Sequence, residues 1–87
     1  MIKWKDVELI LYSGRFPVRW DRIDELMNKK KVNKRQFSEE LGYGDTWYWS
    51  AKRDKSWLYF NAIALLCEKL NVKASYIIRT AENDDDV

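Results

Sequence analysis

Apolar residues recur every three or four positions over most of the chain between residues 20 and 79. This spacing places them on one face of a helix, so each such stretch predicts an amphipathic helix packed on a common core. The first helix is expected after Trp20, where Asp21 can serve as its N-cap. Its inward-facing residues are predicted to be Ile23, Leu26 and Met27.

The central stretch, from Asn33 to Lys55, predicts two short helices joined by a tight turn. Asn33 is a favourable N-cap, and Gln36 three residues later completes a pair that resembles a capping box. Phe37 and Leu41, four residues apart, are expected to point inward. Gly42 follows directly and can adopt the left-handed conformation that ends a helix.

The second helix of this stretch is expected to open at Asp45, two residues before the aromatic run that starts at Trp47. In that helix Tyr48 and Ala51 share one face and should be buried. The opposite face should be available to solvent or to a partner. It consists of Asp45, Thr46, Trp49, Ser50 and Lys52.

The longest helix is expected after Ser56, a candidate N-cap. Asn71 can end it in the left-handed conformation, and Lys73 to Arg79 then predict a short final helix with one apolar side that could face another subunit. The main apolar stripe of the long helix is made of Phe60, Ile63, Leu66, Cys67 and Leu70.

The two ends of the chain predict little regular structure of their own. Residues 1–19 mix strand and helix periodicity, and we interpret them as a short hairpin or an arm. Such an arm either covers an apolar edge of the domain or exchanges with a second subunit, and the first interpretation is favoured. Residues 81–87 have no apolar pattern and predict a disordered acidic tail, which leaves residues 20–80 as the folded domain.

The composition argues against catalysis and against a metal or other cofactor. The chain has no histidine and one cysteine, so the side chains most often used for nucleophilic, zinc and general-base chemistry are missing or, for the thiol, expected in the core. A single cysteine cannot form an internal disulfide, which favours the cytoplasm. No apolar run is long enough to span a membrane.

The net charge becomes informative once the acidic tail is set aside. The formal charge of the whole chain is +2, but Glu82, Asp84, Asp85 and Asp86 all lie among the last six residues. The remaining chain has 16 basic and 10 acidic residues, a net charge of +6. A moderately basic body of this kind permits contacts with nucleic-acid phosphates without requiring them.

The central stretch resembles the helix-turn-helix of Cro/C1-type phage repressors. The matching residues are Phe37, Ser38, Leu41, Gly42, Tyr43, Tyr48 and Ala51, and the segment LNVKASYII after the long helix resembles the closing segment of that family. The resemblance implies an all-α, five-helix lambda-repressor-like domain, with or without a short N-terminal hairpin or arm. It also implies a phage or prophage transcriptional regulator that reads the DNA major groove with helix 45–52. The implied partners are double-stranded DNA and a second copy of the chain in a homodimer.

The resemblance assigns a DNA contact to each of three groups of residues. The helix before the turn would meet phosphate through its first residues, the second helix would face base edges, and basic residues at its end would reach the flanking backbone. The first group is Asn33, Lys34 and Arg35, the second is Asp45, Thr46, Trp49 and Ser50, and the third is Lys52, Arg53 and Lys55.

The chain also departs from the family pattern. Ser38 stands where alanine is usual and Tyr48 where a smaller β-branched residue is usual, which implies altered packing between the two helices. Asp45 would be repelled by phosphate unless it accepts a hydrogen bond from cytosine, and Trp49 is an unusual base reader. Some temperate phages encode a Cro-like partner that inactivates a repressor by binding it. The aromatic face of this helix therefore leaves an antirepressor as the alternative function.

Overall fold

The computed structural model describes residues 14–80, and within them the chain is mostly helical. This architecture is consistent with the predicted all-α class, to which it adds one short antiparallel sheet. The expectations for residues 1–13 and for the tail 81–87 lie outside the described residues. The elements in chain order are β1 (Arg15–Phe16), α1 (Trp20–Lys29), α2 (Lys34–Glu40), α3 (Trp47–Arg53), β2 (Leu58–Tyr59), α4 (Phe60–Leu70) and α5 (Ala74–Ile77).

The apolar stripes of the helices meet in one core, as their spacing predicts. Ile23 and Met27 of α1, and Leu66 and Leu70 of α4, are almost completely buried, whereas Leu26, Leu41 and Cys67 are partly buried at its margin. Phe60 is the exception, since it starts α4 instead of continuing the stripe, and 70% of it is exposed. The innermost residue of the first turn of α4 is Ala62.

Three predicted helix starts were wrong. α1 begins at Trp20, and the Asp21 carboxylate pairs with Arg19 instead of capping the helix. α3 begins at Trp47, since Asp45 and Thr46 form a turn. α4 begins four residues after Ser56, because Leu58 and Tyr59 first pair with β1.

Three predicted helix ends and caps are confirmed by the backbone. The Asn33 side chain accepts a hydrogen bond of 2.9 Å from the backbone N–H of Gln36, so it caps α2. Gly42 follows α2 with φ of +80°. Asn71 ends α4 in the left-handed conformation, with φ of 54°. These local signals therefore fix where α2 begins and where α2 and α4 end.

The described part of the N-terminal segment packs against its own chain. Arg15 and Phe16 of β1 pair with Tyr59 and Leu58 of β2, and Val18 forms an isolated bridge with Ile78. The predicted final helix is shorter than expected, Ala74–Ile77, because the residues that follow it are extended for this pairing. Residues 14–19 thus cover an edge of the domain, which was the favoured interpretation for this part of the arm.

We expect Gly42→Val to lower the free energy of unfolding by more than about 1 kcal/mol, because a β-branched residue strongly disfavours a positive φ. A Cβ atom at this position would meet no atom within 4 Å outside the two neighbouring residues, so backbone strain is the expected cause. Gly44→Val is the matched control, since Gly44 also has open space around it and has no positive φ. Equal losses of stability in the two variants, measured by urea denaturation, would contradict the strain argument.

Candidate nucleic-acid interface

The outer face of α3 and the turn before it is exposed, as the sequence predicts. Thr46 precedes the helix, and Trp49, Ser50 and Arg53 follow at intervals of three or four residues, so the four lie on one face. Asp45 is exposed in the same turn. Trp49 is 46% exposed although it is a large apolar residue. Part of this surface is therefore aromatic and not charged.

The inner face of α3 is anchored by Tyr48, which is completely buried. Its ring packs edge-on against Trp20 of α1, with 5.5 Å between ring centroids, and edge-on against Phe37 of α2 at 6.4 Å. Trp47 turns toward α2 and the turn that follows it, since its ring centroid lies 6.3 Å from that of Phe37 and 4.8 Å from that of Tyr43. Aromatic rings thus hold α3 against both preceding helices, and among the three aromatics of α3 Trp49 is the one left exposed.

A buried serine joins α2 directly to the first turn of α3. The Ser38 hydroxyl donates to the backbone carbonyl of Lys34 at 2.9 Å and accepts from the backbone N–H of Tyr48 at 3.1 Å. It therefore satisfies an N–H group that the start of a helix leaves without an intrahelical partner. Alanine, the residue usual in the resembling family, could not make this bond.

Asp24 and Asn28 of α1 form a polar cluster with side chains of α3. The carboxylate of Asp24 accepts hydrogen bonds from the Tyr48 hydroxyl at 3.1 Å and from the Asn28 amide at 3.3 Å. It also pairs with the ammonium group of Lys52 at 2.9 Å. Asp24 thus connects α1 to two residues of α3 that lie four positions apart on the same side of the helix.

The charge of Asp24 is favoured by these contacts. Burial opposes ionisation, but the hydrogen bonds from Lys52 and Tyr48 outweigh it and hold the pKa of Asp24 below its ordinary value. Burial, together with the nearby carboxylate, raises the pKa of Tyr48 far above that of an exposed tyrosine. At neutral pH the cluster therefore contains an ionised aspartate and a protonated phenol.

Two of the predicted DNA contacts, Lys34 and Lys52, belong to this cluster. Lys34 donates to the Asn28 side chain, and its ammonium group lies 5.8 Å from the centroid of the Tyr48 ring. The positive charge of Lys34 also helps to lower the pKa of Asp24. The structure brings these two cations together around one carboxylate, so each has an intramolecular partner before any ligand arrives.

The other predicted phosphate contacts differ in whether their side chains already have a partner within the protein. The Asn33 side chain is used as a helix cap, and Arg53 pairs with Asp54 at 3.2 Å on the exposed surface. Arg35 and Lys55 are exposed, and neither side chain has a hydrogen bond or ion pair with another described residue. Arg35 and Lys55 are therefore the predicted contacts whose charge is most available.

The spacing in the sequence indicates Tyr48 only as a core residue, and it does not indicate Asp24 or Asn28 as parts of the site. The four-residue interval between Asp24 and Asn28 on α1 places them on one side of that helix, which is a weak signal of a shared role. Their partners on α2 and α3 are not deducible from local spacing, because they depend on how three helices pack.

The described residues contain no group of three or more side chains suited to hold a metal ion. Within residues 14–80, no helix is both long and apolar enough to cross a membrane. Comparison of the chain with protein-family models, with curated proteins and with solved structures gives no significant match.

We expect Asp24→Asn to lower the free energy of unfolding at neutral pH by about 1 kcal/mol, because it removes a partly exposed ion pair and leaves an amide oxygen that accepts only a neutral hydrogen bond from Tyr48. The pKa of Asp24 is lowered on folding, so its contribution is present above the ordinary value of 3.8 and is lost as pH falls through the folded value. The variant should therefore lose less stability than the parent as the pH falls from 3.8 through the folded pKa of Asp24.

Thermal unfolding at several pH values measures this difference. Glu25→Gln is the control, since Glu25 is the exposed neighbour of Asp24 and makes no hydrogen bond or ion pair with another described residue. Identical pH profiles for Asp24→Asn and the parent would show that Asp24 contributes nothing to holding α3.

Proposed function

We propose that this protein is a sequence-specific DNA-binding transcriptional regulator of phage or prophage type. In this proposal the chain is a Cro/C1-like, lambda-repressor-like domain, α2 and α3 form its helix-turn-helix, and α3 enters the major groove. The observation that carries the proposal is the exposed face of α3, held rigidly from behind by Tyr48 and bordered by basic side chains.

Rigid support matters for a reading helix, because base recognition requires side chains to be held in a fixed geometry. Ser38 secures the first turn of α3, and Asp24 secures the helix through Tyr48 and Lys52. The reading face, which consists of Thr46, Trp49 and Ser50, is exposed. Thr46 and Ser50 are small polar residues that can hydrogen-bond to base edges, and Trp49 can contact thymine methyl groups.

The phosphate contacts in this proposal come from both sides of the reading face. Arg35 near the start of α2, and Arg53 and Lys55 at the end of α3, are exposed cations that can release counterions from DNA. Lys34 and Lys52 would contact phosphate only if their present partners, Asn28 and Asp24, share or release them. Arg35, Arg53 and Lys55 are thus the main proposed phosphate contacts.

The test that needs no knowledge of the operator is an NMR titration with a duplex of mixed sequence at low salt. We expect the largest amide shifts in residues 33–35 and 45–55. The proposed binding mode would be overturned if the shifts concentrated instead in α5 and around β1 and β2.

An antirepressor that binds a partner repressor through α3 is the second candidate. The exposed Trp49, the exposed acidic Asp45, and the capture of Lys52 by Asp24 favour it, because together they make this face less basic and more aromatic than a DNA reader requires. Tryptophan is enriched among the residues that dominate protein interfaces. This candidate uses the same surface, so substitution of Trp49 separates the two.

If the protein is an antirepressor, Trp49→Ala should weaken binding to the partner repressor by about 2 kcal/mol or more, as removal of a central aromatic anchor does. If it is a DNA reader, the same substitution should change mainly which sequences are preferred. Selection from a random duplex library, with parent and variant in parallel, measures that preference. An unchanged set of selected sequences would argue against base contact by Trp49.

A further inference from the structure

A groove of about 510 Å³ lies beside the junction of α1 and α3, and its lining includes Lys55, which is also a proposed phosphate contact. Its volume is within the roughly 300–1,000 Å³ typical of small-molecule sites. Its apolar lining residues are Val18, Trp20 and Trp57, of which Trp57 is the most exposed. Asp24 and Lys52, which hold α3 in place, also line it.

The groove carries more positive than negative charge. Two of its acidic groups are already paired, Asp21 with Arg19 at 2.7 Å and Asp24 with Lys52 at 2.9 Å. Its lining also includes Lys55, whose ammonium group pairs with no described residue, so this lysine adds a positive charge that the two carboxylates do not offset. An anionic ligand is therefore favoured over a neutral or cationic one of the same shape.

Two hydrogen-bond donors in the groove have no partner among residues 14–80. They are the ammonium group of Lys55 and the indole N–H of the half-buried Trp57. The indole N–H of Trp20, by contrast, donates to the backbone carbonyl of Ser56 at 2.9 Å. The indole nitrogen of Trp57 is not among the buried side-chain atoms that lack a partner, so it is accessible, and an oxygen atom of a ligand can accept a hydrogen bond from it.

We propose that the groove binds a small aromatic carboxylate. Its ring lies against the indoles of Trp20 and Trp57, and its carboxylate accepts hydrogen bonds from Lys55 and from the indole N–H of Trp57. Such bonds to an ionised acceptor are stronger than neutral ones. The ligand would then sit next to the ion pair that joins α1 to α3. This proposal goes beyond DNA binding and does not depend on it.

Benzoate is the probe, titrated into the ¹⁵N-labelled full chain without DNA and followed by the indole N–H signal of Trp57, which Trp57→Phe identifies. We expect a saturable shift of that signal with benzoate and none at the same concentrations of benzamide, which lacks the charge. Lys55→Gln should raise the dissociation constant about five- to tenfold, the effect of one lost charge-assisted hydrogen bond.

Lys31→Gln is the matched control, because Lys31 is also an exposed lysine with positive φ but does not line the groove. The dissociation constant of benzoate for Lys31→Gln should equal that for the parent protein. The proposal is overturned if benzoate leaves the Trp57 signal unmoved, if benzamide binds as well, or if Lys31→Gln weakens binding as much as Lys55→Gln. If cyclohexanecarboxylate bound as tightly as benzoate, the proposal that the ligand is aromatic would be overturned. None of these results depends on whether the protein binds DNA.

Discussion

Tyr48→Ala is expected to lower the free energy of unfolding by about 3–5 kcal/mol, the usual result of truncating a buried aromatic residue. The tyrosine is completely buried and its ring touches Trp20 of α1 and Phe37 of α2. Small domains have a total stability of roughly 5–15 kcal/mol, so this variant should keep only a marginal fold. Urea denaturation followed by circular dichroism measures the loss.

Tyr48→Phe distinguishes the contribution of the Tyr48 ring to stability from that of its hydroxyl group. It keeps the aromatic contacts and removes only the hydrogen bond to Asp24, so it should cost about 1 kcal/mol. Combined with Asp24→Asn it should give less than the sum of the two single losses, because both substitutions act on the same bond. Fully additive losses would show that the hydroxyl and the carboxylate do not cooperate in positioning α3.

The double variant Arg35→Ala with Arg53→Ala is expected to bind duplex DNA about 10- to 100-fold more weakly than the parent at low salt, whatever the DNA sequence. The two arginines are exposed, Arg35 on α2 and Arg53 on α3. Each lost phosphate contact should reduce the slope of log affinity against log salt by about 0.9, so the pair should reduce it by about 2. Fluorescence anisotropy with a labelled duplex measures both effects.

Lys73→Ala is the control for the double variant. Lys73 is also exposed and makes no hydrogen bond or ion pair with another described residue, but it precedes α5, which packs against α1 and α4 and lies outside the proposed interface. Its salt slope should stay close to that of the parent. If Lys73→Ala reduced the affinity for DNA as much per removed charge, binding would depend on the net charge of the protein alone and not on the proposed interface.

The parts of the fold that depend on near neighbours in sequence could be predicted. Asn33 caps α2, Gly42 follows it with positive φ, and Asn71 ends α4, because each of these roles depends on the residue's own side chain or backbone freedom. The exposed face of α3 was predictable for the same reason. Its residues alternate with Tyr48 and Ala51 at helical spacing.

The parts that depend on distant segments could not be predicted. The start of α4 moved to Phe60 because β2 pairs with a strand more than forty residues earlier, and no local signal near Ser56 indicates that pairing. The ion pair between Asp24 and Lys52 joins two helices, so local spacing in the sequence does not indicate it. It nevertheless makes the charge of Lys52 less available to a ligand. Long-range packing, not local propensity, decides which predicted contacts remain available.

The proposed function is tested most directly by the affinity of the unmodified protein for duplex DNA at two salt concentrations, about 50 and 200 mM. A DNA reader that uses Arg35, Arg53 and Lys55 should bind a duplex of mixed sequence at the lower concentration. It should lose affinity at the higher one with a log–log slope of about −3 or steeper, since non-specific phosphate attraction does not require the operator. Absence of binding by the folded protein to any duplex at the lower concentration would contradict the proposal.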